Sequence, residues 1–306
     1  MSLTMHNHTK AYIYLLLTTA IWGSMYVFSK YVFVLLPPMA FLFYRFLFGG
    51  TILLGVYLFR GGKLKNIRVK KPDIKYILLI GLVGYFLGIG FQLLGTDYCD
   101  ASLASLINST NPVIIILIAM FILKEKANKR QIFSVFCALA GTVLIIGQIN
   151  GSDSLLGAIL SCGAVIFWSY GSVMVRFISE KYDVMVITIL CMFICAIAAF
   201  PFSVYQQVVD PMDFAAISPM FVFSFLFIVI ISTGLSFILW NKALSLVPAA
   251  TCSMFYPIQP LVSALLGILL LGEQLSLTFV LGGALIIFGV LFSVVRIGNL
   301  RKLPNA

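Results

Sequence analysis

Residues 101–125 recur without a gap at residues 249–273, so that Ala101, Ser105, Pro112, Leu123 and Glu125 find Ala249, Ser253, Pro260, Leu271 and Glu273 148 positions later. A tandem copy offset by nearly half of a 306-residue chain means that one structural unit is used twice. The unit is hydrophobic. Apolar residues make up 61% of the chain and charged residues 10%, too little polar surface to keep a protein of this size in water.

Apolar runs near the roughly 20 residues that a helix needs to cross a hydrocarbon core fall at 12–34, 38–59, 75–96, 101–123, 131–148, 155–176, 184–205, 219–240, 249–271 and 276–295. They are continuous rather than alternating, and about twice the length of a barrel strand, which excludes a β-barrel and leaves the backbone satisfied inside helices. The expected fold is an all-α membrane protein of ten transmembrane helices. The first run lacks a small-residue cleavage site and is followed within a few residues by a second run, so it reads as a permanent helix rather than a signal peptide.

Five helices per copy have a topological consequence: a second odd-numbered unit enters the membrane from the opposite side. The halves, 1–149 and 150–306, are therefore expected to be inverted repeats. Charge placement agrees. With the N-terminus in the cytoplasm, 18 of the 20 basic residues fall inside, in the loop from Arg60 to Lys75, around Lys124 to Arg130, in the tail with Arg296, Arg301 and Lys302, and at Lys10, Arg176, Lys181 and Lys242. The outer loops hold Asp97, Asp100, Asp153, Asp210, Asp213 and Glu273, with no Lys or Arg. This positive-inside pattern implies a multi-pass protein of the cytoplasmic (plasma) membrane with both termini in the cytoplasm. It also accounts for the net charge of +10 as loops facing anionic lipid, with no call for nucleic acid.

A weaker echo relates the first helix of each half at an offset of 146. Trp22 matches Trp168, and eight residues beyond each lies a cation, Lys30 and Arg176. Eight residues is about two helical turns, so each tryptophan shares a face with its cation.

The Trp-Gly-Ser at 22–24 with Lys30, Pro37 and Pro38 leading to Tyr44 and Arg45, the Ala-Ser-Leu-Ala-Ser at 101–105 followed by Asn111 and Pro112, and Glu125 together resemble the EamA family of the drug/metabolite transporter superfamily, in its ten-helix form. The second-half copies, Trp168, Pro248 to Ser253, Pro260, Gly272 and Glu273, extend the resemblance over essentially the whole chain. It implies a secondary transporter that exports amino acids or other small metabolites, and with Arg45 the expected substrates are amino acids or related carboxylate-bearing compounds. It also implies alternating exposure of a cavity lined by helices 1, 3, 4, 6, 8 and 9.

The candidate substrate-binding residues are Trp22, Arg45, Gln92, Asn108, Asn111, Trp168, Tyr256 and Gln259, and the candidate gating residues are Lys30, Arg176, Pro112 and Pro260. Arg45 lies seven residues beyond Pro38, about 10 Å into the membrane at 1.5 Å per residue, where a cation needs a partner, a watery cavity or a route to the surface. It either fixes helix packing or recognises an anionic group such as a substrate carboxylate. The second half has no cation at the matching position, 191–193, so the repeat does not impose this charge.

Lys30 and Arg176 either snorkel to the interfaces or flank the two mouths of a cavity. Pro112 and Pro260 free the carbonyls of the matched pair Asn108 and Tyr256, and Pro257 should sharpen the second break. These carbonyls either face a ligand, together with Asn111 and Gln259, or are satisfied by neighbours such as Ser105 and Ser253. Trp22 and Trp168, halfway along their helices, either pack or stack on a ligand. Gly81, Gly84, Gly88, Gly282, Gly283 and Gly289 are expected to permit close helix contact.

Other chemistry finds little support. An enzyme would need a nucleophile with a base, or a metal cluster, at bilayer depth, but no Asp or Glu lies well inside a run and His6 and His8 are both in the N-terminal tail. A proton relay through a mid-membrane carboxylate is unsupported for the same reason. Cys191 and Cys195 stand one turn apart without further ligands nearby, so no metal is expected. No Gly-rich phosphate loop is present, so ATP is not the direct energy source and no cofactor is implied. The expected partners are a small-molecule substrate and the lipid bilayer, for a monomer or a homodimer. A channel or a non-transporting sensor of small solutes is the alternative.

Overall fold

The structure, a computed structural model, describes residues 2–63, 67–122, 129–146, 152–253 and 255–294. Among them there is no strand. The helical runs are α1 (Ser2–Phe33), α2 (Pro38–Phe59), α3 (Lys71–Tyr98), α4 (Ala101–Ile122), α5 (Lys129–Ile146), α6 (Ser152–Ile178), α7 (Val184–Val209), α8 (Pro219–Leu246), α9 (249–271) and α10 (Leu277–Val294). Eight of these, α1 to α4 and α6 to α9, are long and apolar enough to cross a membrane; α10 carries a shorter apolar stretch, Leu277–Gly289, and α5, which opens on Lys129, Arg130 and Gln131, is not among them. Their outward faces are apolar, with Phe59, Phe121, Phe200 and Leu269 exposed, as in a protein solvated by lipid.

Packing follows the repeat. α2 packs on α7 and α5 on α10, each helix on the one five places away. The contact of α3 with α6 is matched by that of α8 with α1, and that of α4 with α6 by that of α9 with α1. Two glycines set the α3–α6 distance: a Cβ added to Gly84 would lie 2.7 Å from the Cα of Gly171. Gly88 likewise admits the backbone of Trp168, and a Cβ added to Gly141 on α5 would lie 2.7 Å from the Gly282 carbonyl on α10.

Helix ends are tied in two groups. In one, Tyr31 Oη donates to the Leu270 carbonyl at 2.7 Å, and Gln206 Oε1 accepts from the N–H groups of Met39 and Ala40 at 2.9 and 3.1 Å, capping α2. In the other, Lys181 pairs with Asp73 at 3.1 Å and Tyr182 Oη donates to the same carboxylate at 2.8 Å.

Four helices are irregular, two by two. α4 is interrupted at Ser109 and Thr110 and α9 at Phe255 to Pro257, just ahead of the paired prolines. α3 and α8 each widen into a π-helix at corresponding places, Ile80–Leu87 and Phe227–Leu235, a feature with no sequence expectation behind it. All four irregularities border the centre of the bundle, where the aromatic core lies.

Candidate functional site

Trp22 is the hub of that core. Its ring lies 5.4 Å from Trp168, 5.2 Å from Trp240 and 5.6 Å from Phe237, while its Nε1 donates to the Ser232 carbonyl in the widened turn of α8 at 3.1 Å. Trp168 Nε1 donates to Tyr256 Oη, and Tyr256 packs edge-on against Trp240 at 5.2 Å. Edge-to-face rings of this kind interlock the two halves through α1, α6, α8 and α9.

Beside the hub is a small cavity. Its walls include all eight candidate binding residues, Trp22, Arg45, Gln92, Asn108, Asn111, Trp168, Tyr256 and Gln259, together with Met25, Tyr26, Gly88, Ile89 and Phe237. The cavity measures about 20 Å³. A single water needs about 10–15 Å³ on that measure, so a metabolite enters only if the helices part.

The lining follows the repeat: Trp22 with Trp168, Ile89 with Phe237, Asn108 with Tyr256 and Asn111 with Gln259 are matched pairs from the two halves. Ile89 and Phe237, 148 residues apart, lie outside the gap-free echo of 101–125, and nothing in the sequence singled out these two, Met25 or Tyr26.

Arg45 breaks the symmetry. Its side chain is fully buried, and Nε donates to Thr233 Oγ1 at 2.6 Å. Among the described residues both terminal nitrogens lack a protein partner, and no acid lines the cavity. The guanidinium carbon sits 5.4 and 5.8 Å from the ring centroids of Phe46 and Phe237, contacts that offset only part of the cost of burying a charge. Thr233 belongs to the widened turn of α8, which is why the sequence offered no hint of it.

The amides are largely occupied. Gln92 Nε2 donates to Tyr26 Oη at 2.6 Å, and Asn108 Nδ2 to the Ala104 carbonyl at 3.0 Å. Asn111 Nδ2 bonds the Asn108 carbonyl at 2.6 Å, and its Oδ1 accepts from Ser169 at 2.9 Å. The carbonyl freed by Pro112 is thus taken by Asn111, whereas Ser105 bonds Ser102. The carbonyl freed by Pro260 accepts from the Gln259 N–H at 2.9 Å in a tight turn. Gln259 Nε2, also buried, has no protein partner.

The cations of the first helices are anchored on backbone. Lys30 Nζ donates to the Asp97 carbonyl at the end of α3 at 3.0 Å; Arg176 Nη1 donates to the Leu244 and Ser245 carbonyls at the end of α8 at 3.0 and 3.2 Å. Each caps a matched helix C-terminus, where a cation also meets the negative end of the helix dipole. Glu125, the partner of Glu273 in the repeat, lies outside the described residues.

The model of the EamA-like transporter family matches twice, over residues 9–147 and 155–295. The chain belongs to that family. Among its relatives, an uncharacterized transporter of Archaeoglobus fulgidus is 25% identical across 94% of this chain and 99% of its own. The uncharacterized transporter YyaM of Bacillus subtilis is 27% identical across 95% and 96%. The uncharacterized inner membrane transporter YhbE of Escherichia coli is 30% identical across 62% and 61%. A solved crystal structure shares the fold with a TM-score of 0.70, covering 95% of this chain and all of its own at 19% identity. Two EamA copies, the helical spans and the apolar exterior make this a multi-pass membrane protein of a transporter family.

Proposed function

We propose that the protein is a secondary transporter that exports small carboxylate-bearing metabolites, amino acids or related compounds, by alternating access of the central cavity. The observation that carries the reading is the buried guanidinium of Arg45, held through Nε with both terminal nitrogens free of protein partners in a cavity without acids. Two parallel N–H groups match the two oxygens of a carboxylate. The trimmed cavity agrees with an occluded conformation, and the family match supports transport.

Inversion of the halves, 1–149 and 150–306, with both termini in the cytoplasm, completes the reading. Support comes from the paired packing of α2 with α7 and α5 with α10, and from the ties of the α1 end to the α9 end and of the α6 end to the α8 end. The breaks at Pro112 and Pro260 are then the hinges on which α4 and α9 swing, and Lys30 and Arg176 hold the ends of α3 and α8 through the swing.

The test is loss of individual compounds from proteoliposomes loaded with a mixed pool of amino and other carboxylic acids, followed by mass spectrometry with and without a pH gradient. Saturable, trans-stimulated loss of a few carboxylates is expected. Conductance without trans-stimulation would instead identify a channel, and no selective loss would favour a sensor.

A further inference from the structure

The charge balance of the cavity narrows the substrate class. A zwitterionic amino acid brings an ammonium within a few ångströms of its carboxylate, so a site that takes the carboxylate on a buried guanidinium must also find an acceptor for the ammonium. Broken membrane helices commonly supply one from unwound backbone carbonyls. In this protein those carbonyls each already accept one hydrogen bond: Asn108 O from Asn111 Nδ2, Tyr256 O from the Gln259 N–H, and Ser232 O from Trp22 Nε1. In the widened turn of α8, Ile231 O accepts from Ser236 Oγ at 3.0 Å.

Among the described residues the buried side-chain nitrogens without a protein partner are donors, and the serine hydroxyls that also lack one, Ser232 and Ser263 among them, do not line the cavity. The nitrogens are Arg45 Nη1 and Nη2 and Gln259 Nε2 on the cavity wall, and Trp240 Nε1 behind it. The lining holds one fixed charge, the Arg45 cation, and no carboxylate to oppose a second cation. Its remaining acceptors are neutral amide and phenol oxygens, which solvate an ammonium without cancelling its charge. In a dry site the guanidinium would repel that ammonium at short range with little screening.

We infer that the site selects carboxylates that lack a free amine, monoanions of the 2-oxo or 2-hydroxy acid type, over α-amino acids of the same carbon skeleton. This rests on the carboxylate reading of Arg45 and sharpens it. The ligand neutralises the one buried charge, satisfies both free guanidinium nitrogens and adds no cation of its own. Its passage moves one negative charge across the membrane.

The experiment uses the full-length protein in proteoliposomes loaded with matched pairs: pyruvate with alanine, 2-oxoisocaproate with leucine, and phenylpyruvate with phenylalanine. The expected result is that, in every pair that moves, the oxo acid leaves at least tenfold faster, with a rate that responds to an imposed potassium-diffusion potential. In Arg45→Gln protein, checked for a monodisperse elution profile, that preference should fall towards unity. Equal or faster loss of the amino acid would overturn the inference and leave the carboxylate site standing. A preference that survives Arg45→Gln would overturn its assignment to the guanidinium. Loss of neither member of any pair would overturn the carboxylate reading along with it.

Discussion

Glu273 reaches back from the end of α9 to accept a hydrogen bond from the Ala101 N–H at 2.8 Å, so that a carboxylate of the second half caps a helix of the first. The same carboxylate takes the Ser102 N–H at 3.2 Å and the Ser102 hydroxyl. The turn is made by Gly272, whose φ of 68° is one that glycine adopts without strain. Gly267 leaves room for the returning side chain, since a Cβ there would collide with the carboxylate. Glu273→Gln should lower stability by about 1 kcal/mol, the worth of a charged cap, and Gly267→Ala by more, read as the melting temperature in detergent.

Arg45→Met keeps the apolar stem and removes the charge. Because the buried guanidinium has no acidic partner, the variant should be as stable as the parent or more so, while carboxylate export falls at least tenfold. A combined measurement of melting temperature and initial efflux rate checks both halves of the expectation.

Tyr256→Phe leaves the Trp168 indole N–H buried without its acceptor. A loss of about 1–3 kcal/mol is expected from the unsatisfied donor. The double variant Trp168→Phe with Tyr256→Phe should recover part of that loss, and a double-mutant cycle by thermal unfolding measures the difference.

Lys30→Met and Arg176→Met each remove a cap from the C-terminal carbonyls of a matched helix. Each should cost about 0.3–1 kcal/mol, and the two losses should add, because the residues cap different helices and share no partner. Melting temperatures of both single variants and the pair test this.

Burial pushes the Cys99 thiol, in the turn between α3 and α4, up to about 12, and its Sγ donates to the Gly95 carbonyl at 3.1 Å. Since the thiolate is the reactive form, a raised value means scarcely any thiolate at pH 7–8 and more as the pH climbs towards 12. Alkylation at Cys99 by iodoacetamide, followed by peptide mass spectrometry, should be slow at pH 7.5 and should accelerate markedly on unfolding.

The primary structure determined which segments are helices, because unbroken apolar runs leave lipid as their only solvent, and it determined that the unit is doubled, because the 148-residue echo is a covalent fact. It also determined which residues are candidates for the site: polar and aromatic side chains at mid-run are costly unless something uses them, and all eight line one cavity. Tertiary structure alone decided how they are spent. Whether Arg45 meets an acid depends on which helix lies opposite, and the neighbour proved to be the Thr233 hydroxyl in a widened turn that no periodicity announces. Whether the carbonyls freed by Pro112 and Pro260 face a ligand depends on local turn geometry, which turned Asn111 and the Gln259 N–H onto them. Lys30 and Arg176 share a helix face with the tryptophans by spacing alone, but only the approach of α3 and α8 supplied the carbonyl ends that they cap. The physical reason is range: hydrophobic length and repeat are properties of contiguous chain, whereas the partners of Arg45, Lys30 and Arg176 come from residues 188, 67 and 68 positions away.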